Sequence, residues 1–300
     1  MAIARENTQV LKKHAKTFYM ASLFLPLQVA KDASSLYRFA REVDDIVDEN
    51  PEKEARAILE KVVEDYREEN GSYPFVSDFL ATSNRLNMNK SYAEELIKGV
   101  TWDLDNDTIF TEEDFYLYCY RVAGVVGLMM CYMLRIDDHN AFQHATDLGL
   151  GMQMTNICRD VMEDLDRGRM YLPESWVDDI RLNKNNIQVI SIQKKVLEVV
   201  VSILERAEKH YASADLGMCY IPWRARFAIL VAAKVYRAIG LKILKDPKAC
   251  LDGRVYVSKI EKLAWLVYCS FYFLHPRIWK KPKQDSKAVL HESLCGLPGL

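Results

Sequence analysis

The stretch Gln153-Met154-Thr155-Asn156-Ile157-Cys158-Arg159-Asp160-Val161-Met162-Glu163-Asp164 decides how this chain is read. On a helix Asn156, Asp160 and Asp164 fall at i, i+4 and i+8, one above another at steps of about 6 Å, among apolar Met152, Met154, Ile157 and Val161. A second acidic set stands upstream in Asp44-Asp45-Ile46-Val47-Asp48, where Asp44 and Asp48 are again i,i+4. Tyr37, Arg41, Asp44 and Asp48 make one polar stripe, and Gln153, Asn156, Asp160 and Asp164 make another. One reading is a pair of solvated faces laced by i,i+4 ion pairs. The other is a seat for hard divalent cations, since Mg²⁺ is held by one or two protein carboxylates together with substrate phosphate oxygens. Arg41, Arg159 and Arg169 then offer planar forks to those oxygens. The chemistry suggested is ionisation of an allylic diphosphate.

Working outward, the acidic segment runs on into Gly168-Arg169-Met170-Tyr171-Leu172-Pro173. Together they resemble the second signature of the squalene and phytoene synthase family, and Tyr37-Arg38-Phe39-Ala40-Arg41-Glu42-Val43-Asp44-Asp45-Ile46-Val47-Asp48-Glu49 resembles the first. The likeness extends from His14-Ala15-Lys16-Thr17-Phe18-Tyr19, through Tyr118 to Gly127, to Tyr236-Arg237-Ala238-Ile239-Gly240 and Arg254. Within the family, Pro173-Glu174-Ser175-Trp176, Leu182 to Asn186 and Glu261-Lys262-Leu263 are similar to the bacterial phytoene synthase branch.

That resemblance implies an all-α, single-domain isoprenoid-synthase bundle around a central cavity. It also implies head-to-head condensation of two geranylgeranyl diphosphates through prephytoene diphosphate to 15-cis-phytoene. Asp44, Asp48, Asn156, Asp160 and Asp164 would hold Mg²⁺ or Mn²⁺, and no NADPH is expected. Arg41, Arg159 and Arg169 would take the diphosphate, with Gln153 nearby and Tyr171 donating a hydrogen bond to it. A dehydrosqualene or presqualene diphosphate synthase using farnesyl diphosphate stays open, as does a non-catalytic scaffold protein of the same fold. A terpene cyclase is a further rival, but its aspartate motifs are spaced differently.

The reaction also needs a dry interior, because water quenches an allylic cation. Phe18, Tyr37, Tyr118 and Tyr236 are candidates to face that cation with their π clouds, or else to fill core. Ser34, on the Tyr37 stripe, and Ser22 would leave a tunnel open for a longer prenyl chain; both serve equally well as packing or surface residues.

Composition is consistent with this and excludes other classes. The chain has 300 residues, 50% of them apolar, enough for a large core in a single domain expected over 1–275. The segment 276–300, rich in Lys and Pro, is expected to be a mobile tail. A formal net charge of -2 without a basic, aromatic-interleaved patch gives no reason to expect nucleic acid. Seven cysteines without a CxxC pair or a secretory leader read as reduced thiols in a cytoplasmic protein. Cys158 reads as packing, and the six scattered histidines do not make a zinc site.

Helical periodicity is expected over 4–20, 31–48, 52–70, 76–86, 90–104, 112–134, 138–164, 187–213, 223–244 and 255–274, broken near Pro26, Pro51, Pro74, Pro173, Pro222 and Pro247. The apolar stretches Val122–Leu134 and Leu263–Leu274 are short of the roughly 20 residues that a bilayer core requires. The first reads as a buried helix, with Gly124 and Gly127 admitting a close neighbour. The second is read as core in preference to a lipid-touching surface. The enzyme is therefore expected to be cytoplasmic or peripheral on the inner membrane face, handing its product to a phytoene desaturase.

Overall fold

The computed structural model describes residues 25–105, 109–281, 290 and 292–300. The expected helix over 4–20, with Phe18, and Ser22 lie outside the described residues. Among the described residues the chain is helical with no strand.

Prolines set the first boundaries. Helix α1, Leu27–Glu49, follows Pro26 and ends at Asn50, which is driven to extended backbone by Pro51. Helix α2, Glu52–Glu68, begins directly after that proline, and α3, Pro74–Arg85, carries its own proline in the first turn, where no amide donor is missed. Helix α4 is Ser91–Asp105. Stacked Phe39 and Phe79, 4.2 Å between ring centres, lock α1 onto α3.

Helix α5, Glu112–Met133, opens on a reciprocal cap between Thr111 and Asp114 and contains one π-helical turn, Tyr120–Gly124. Its 22 residues are long and apolar enough to cross a membrane, so the apolar helix is longer than the stretch from Val122 suggests. Burial of Phe115, Tyr120, Leu128, Met129 and Met133 makes it a core helix of the bundle. It lies against α6, Asn140–Arg159, with backbone touching backbone. A Cβ on Gly127 would come 2.2 Å from the Ala145 carbonyl oxygen, and one on Gly149 would come 2.3 Å from that of Ala123. The room at Gly127 is thus taken by a neighbouring helix.

Helix α6 is central, packed also against α8, Ile190–Gly217, and α9, Trp223–Lys245. The expected single helix over 138–164 is divided: α6 stops at Arg159, Asp160 turns out of helical geometry (φ −105°, ψ 13°), and α7 runs Val161–Asp166. Two backbone bonds bridge the bend, Asp160 N–H to Asn156 O and Asp164 N–H to Asp160 O, both 2.9 Å. The acidic stripe therefore keeps its register through the bend.

The chain closes with α10, Ala249–Asp252, and α11, Lys259–Tyr272, the latter capped reciprocally by Ser258 and Glu261. One expectation is corrected here. Helix α11 is not core: Cys269 is its one buried residue among an otherwise exposed or half-buried set. In the segment from Pro276 most described residues are exposed, and a few contacts reach the bundle. Arg226 donates to the Ile278 carbonyl at 3.1 Å, Leu294 is buried, and Tyr120 donates to the Pro298 carbonyl at 2.6 Å.

Candidate active site

Four helices bring carboxylates and arginines to one end of the bundle. From α1, Arg41 donates to Asp44 at 3.1 Å and also pairs with Asp45. Asp48, one turn on, receives Arg169 at 2.6 Å and Arg167 at 3.1 Å. Those two arginines stand on the reversal after α7, where Gly168 takes a positive φ of 77° that a side chain would strain. From α6, Arg159 grips Asp160 with both arms of its fork, at 2.8 and 2.5 Å. Arg254 approaches Asp160 at 3.4 Å and Glu163 at 3.2 Å from the loop before α11. Gln153 accepts from the Asn156 amide at a long 3.4 Å.

A residue that the motifs did not flag completes the cluster. Asp103, in the last turn of α4, accepts a hydrogen bond from Tyr171 at 2.8 Å and a weaker one from Tyr118 at 3.4 Å. The two tyrosine rings stack at 4.9 Å, with Trp102 edge-on to Tyr118 at 6.2 Å. The Tyr171 hydroxyl is thus engaged by Asp103 in this structure. Tyr236 is near enough to influence the ionisation of Tyr37 and of Arg159, so α9 reaches the same site.

The electrostatics show excess negative charge. Burial, then repulsion by Asp48, raises the Asp44 carboxyl to about 6. Burial, then repulsion by Asp160, raises Asp164 to about 7. Asp103 rises to about 6 through burial, offset by Arg169 and Tyr171 but reinforced by Asp44 and Asp48. Burial opposes the charge on Arg169, yet Tyr171, Asp48 and Asp103 hold it firmly protonated. Two buried polar atoms point to something further: the Asn156 side-chain oxygen and Arg41 Nε have no hydrogen-bond partner. A lone acceptor among repelling carboxylates fits a cation, and a lone guanidinium donor fits an anion.

Among the described residues no group of three or more acidic, His or Cys side chains is gathered tightly enough to hold a metal alone. That is compatible with Mg²⁺, which takes a minority of its ligands from protein. Of the residues expected from sequence, Tyr37, Arg41, Asp44, Asp48, Tyr118, Gln153, Asn156, Arg159, Asp160, Asp164, Arg169, Tyr171 and Tyr236 all lie on the helices and loop just described.

Carboxylates that prefer a proton in the folded state make stability depend on pH. An unfolded aspartate titrates near about 3.9, so from roughly pH 4 to 7 the folded chain holds more protons than the unfolded one, and stability falls as pH rises. The metal-free protein is expected to melt at a lower temperature at pH 8 than at pH 5.5, by calorimetry. Mg²⁺ with inorganic diphosphate should raise the pH 8 value. A metal-free midpoint higher at pH 8 would contradict the charge assignment.

Comparison with known proteins agrees with the geometry. The squalene/phytoene synthase family model matches residues 11–261. The chain is 32% identical to a phytoene synthase of Rhodobacter capsulatus, over 95% of this chain and 87% of that one. It is 30% identical to a 15-cis-phytoene synthase of Pantoea ananas, over 91% and 92% respectively. A dehydrosqualene synthase solved in complex with a ligand superposes with a TM-score of 0.76 at 25% identity, covering 90% of this chain and 95% of that one. With both aspartate faces assembled and the match spanning most of its length, the chain belongs to the squalene/phytoene synthase family.

Proposed function

We propose that this protein is a 15-cis-phytoene synthase, a prenyltransferase that joins two geranylgeranyl diphosphates head to head. The observation that carries the chemistry is the convergence of Asp44, Asp48, Asp103 and Asp164 around Arg169, with Asn156 and Arg41 each presenting an unpaired buried atom. The choice of product rests on the relatives named phytoene synthase.

Asp44 and Asp48 on one side, and Asn156, Asp160 and Asp164 on the other, would hold Mg²⁺ or Mn²⁺. Bound there, the cations would neutralise the diphosphate and favour its departure. Arg41, Arg159 and Arg169 each now hold a carboxylate of this set. On substrate entry these pairs would exchange, leaving the carboxylates free to hold cations and the guanidinium forks free to meet phosphate oxygens. Tyr171 and Tyr118, bonded to Asp103, form an aromatic platform beside the site of ionisation, able to face a carbocation while water is kept out. In the first half-reaction one diphosphate leaves and the allylic carbon bonds to the double bond of the second substrate, with loss of a proton, giving the cyclopropylcarbinyl diphosphate. In the second that diphosphate leaves, the skeleton rearranges, and loss of a proton gives the triene. No hydride is consumed.

With Mg²⁺ the protein is expected to release diphosphate from geranylgeranyl diphosphate, and no release would favour a non-catalytic scaffold. Arg159→Lys keeps the charge but loses the fork, so it should weaken substrate use by about 1.5 to 3 kcal/mol, read from kcat/KM for diphosphate release. Unchanged kinetics would remove Arg159 from the diphosphate site. The solved dehydrosqualene synthase supports a second reading, condensation of farnesyl diphosphate. Ser34 does not discriminate: it is buried, and its hydroxyl donates to the Ala30 carbonyl at 2.7 Å as a packing residue does. We infer a cytoplasmic protein, either free or peripheral at the inner membrane face, with a phytoene desaturase as recipient of its product.

A further inference from the structure

Helix α11 is apolar on two opposite faces. One, carrying Cys269 with Tyr272 and the adjoining Phe273, packs on α9, where Phe273 meets Phe227 edge-on at 5.5 Å. The other carries Ile260, Leu263, Val267 and Phe271, which recur at three- and four-residue steps along one line, continued by Leu274. Nothing among the described residues covers it: Ile260 is 82%, Phe271 73% and Leu274 77% exposed. Exposed Tyr256 precedes the line.

Basic residues predominate along this stripe. Lys259 and Lys262 lie at its start and Arg277 and Lys280 beyond its end, all exposed. The one acid between Lys259 and Lys281 is Glu261, and it is bonded to Lys242 at 2.9 Å. A second copy of the chain laid on this face would set lysines against lysines, whereas an anionic lipid surface complements them. Aliphatic and aromatic side chains flanked by basic residues, with Tyr256 at one margin, have the character of a helix lying in the plane of a bilayer interface. The stripe also begins near the candidate active site, because Arg254, two residues before Tyr256, pairs with Asp160 and Glu163.

We propose that the outer face of α11 docks this protein on anionic membranes, with Ile260, Leu263, Val267, Phe271 and Leu274 entering the headgroup boundary and Lys259, Lys262, Arg277 and Lys280 meeting lipid phosphates. The surface stands on exposure and charge alone. Its use, presenting the site mouth to a lipid-dissolved prenyl substrate, rests on the function proposed above.

The test is flotation of the full chain with lipid vesicles, without substrate, so that it does not depend on activity. The wild-type protein is expected to float with phosphatidylglycerol-rich vesicles and far less with phosphatidylcholine alone. Leu263→Gln, Val267→Gln and Phe271→Gln combined should weaken binding roughly a hundredfold, given the apolar surface removed, and Lys259→Glu with Lys262→Glu should abolish the preference for anionic lipid. Circular dichroism and diphosphate release in detergent, unchanged by these surface substitutions, would exclude misfolding. Failure of the wild type to float, or equal flotation of the triple variant, overturns the proposal. A wild-type dimer that the triple variant converts to monomer also overturns it, in favour of self-association.

Discussion

Asp48→Asn and Asp160→Asn are each expected to lower turnover by about two to four orders of magnitude at saturating Mg²⁺, the scale on which a positioned electrostatic group acts. Each substitution keeps the size and hydrogen-bonding reach of the side chain but removes the charge that a divalent cation needs. The structural cost is small. Asp48 is paired with Arg167 and Arg169, and Asp160 with Arg159 and a half-exposed Arg254, contacts an amide oxygen still accepts in part. Melting temperature should therefore stay close to that of the parent while kcat collapses. Turnover within a few-fold of the parent for either variant would remove that residue from the cation site.

Asp103→Asn should cost roughly a hundredfold to a thousandfold, although no acidic motif contains it. It sits where α4 ends, accepts from Tyr171 and Tyr118, and shares its field with Asp44, Asp48 and Arg169. Two roles are separable. If its charge balances cations and Arg169, Asp103→Asn falls in kcat while Tyr171→Phe, which leaves that charge in place, falls much less. If it only orients the tyrosines, the two variants fall together. The first pattern is expected, because Asp103 carries repulsion from Asp44 and Asp48 that an orienting group would not need. Parent-like kinetics for Asp103→Asn would contradict both roles.

Much of this site was legible in the sequence because its two halves lie on helices with regular spacing. Tyr37, Arg41, Asp44 and Asp48 needed only the helical period to be placed on one face, and α1 does present them so. Asn156, Asp160 and Asp164 were legible for a less direct reason: the helix bends at Asp160, but the bridging backbone bonds preserve the spacing. The bend itself leaves no compositional trace. Asp103 escaped because its partners are far away along the chain, Tyr171 by 68 residues, and Trp102-Asp103-Leu104-Asp105 looks like the polar end of any helix. Long-range pairing is a property of the fold and not of local pattern. The same limit explains α11, where apolar residues on two faces read as core. Periodicity shows that a face is apolar, not whether another element covers it. Beyond Pro276, the contacts of Arg226 with Ile278 and of Tyr120 with Pro298 join residues far apart in the chain and leave no local pattern.

The central claim is that two geranylgeranyl units are joined without a reductant. It is tested most directly by incubating purified protein with Mg²⁺ and geranylgeranyl or farnesyl diphosphate separately, without NADPH, and identifying the extracted hydrocarbon by mass. A forty-carbon hydrocarbon with a central conjugated triene, formed from geranylgeranyl diphosphate faster than any thirty-carbon product from farnesyl diphosphate, is the predicted result. A thirty-carbon product formed faster, or no hydrocarbon from either substrate, would contradict it.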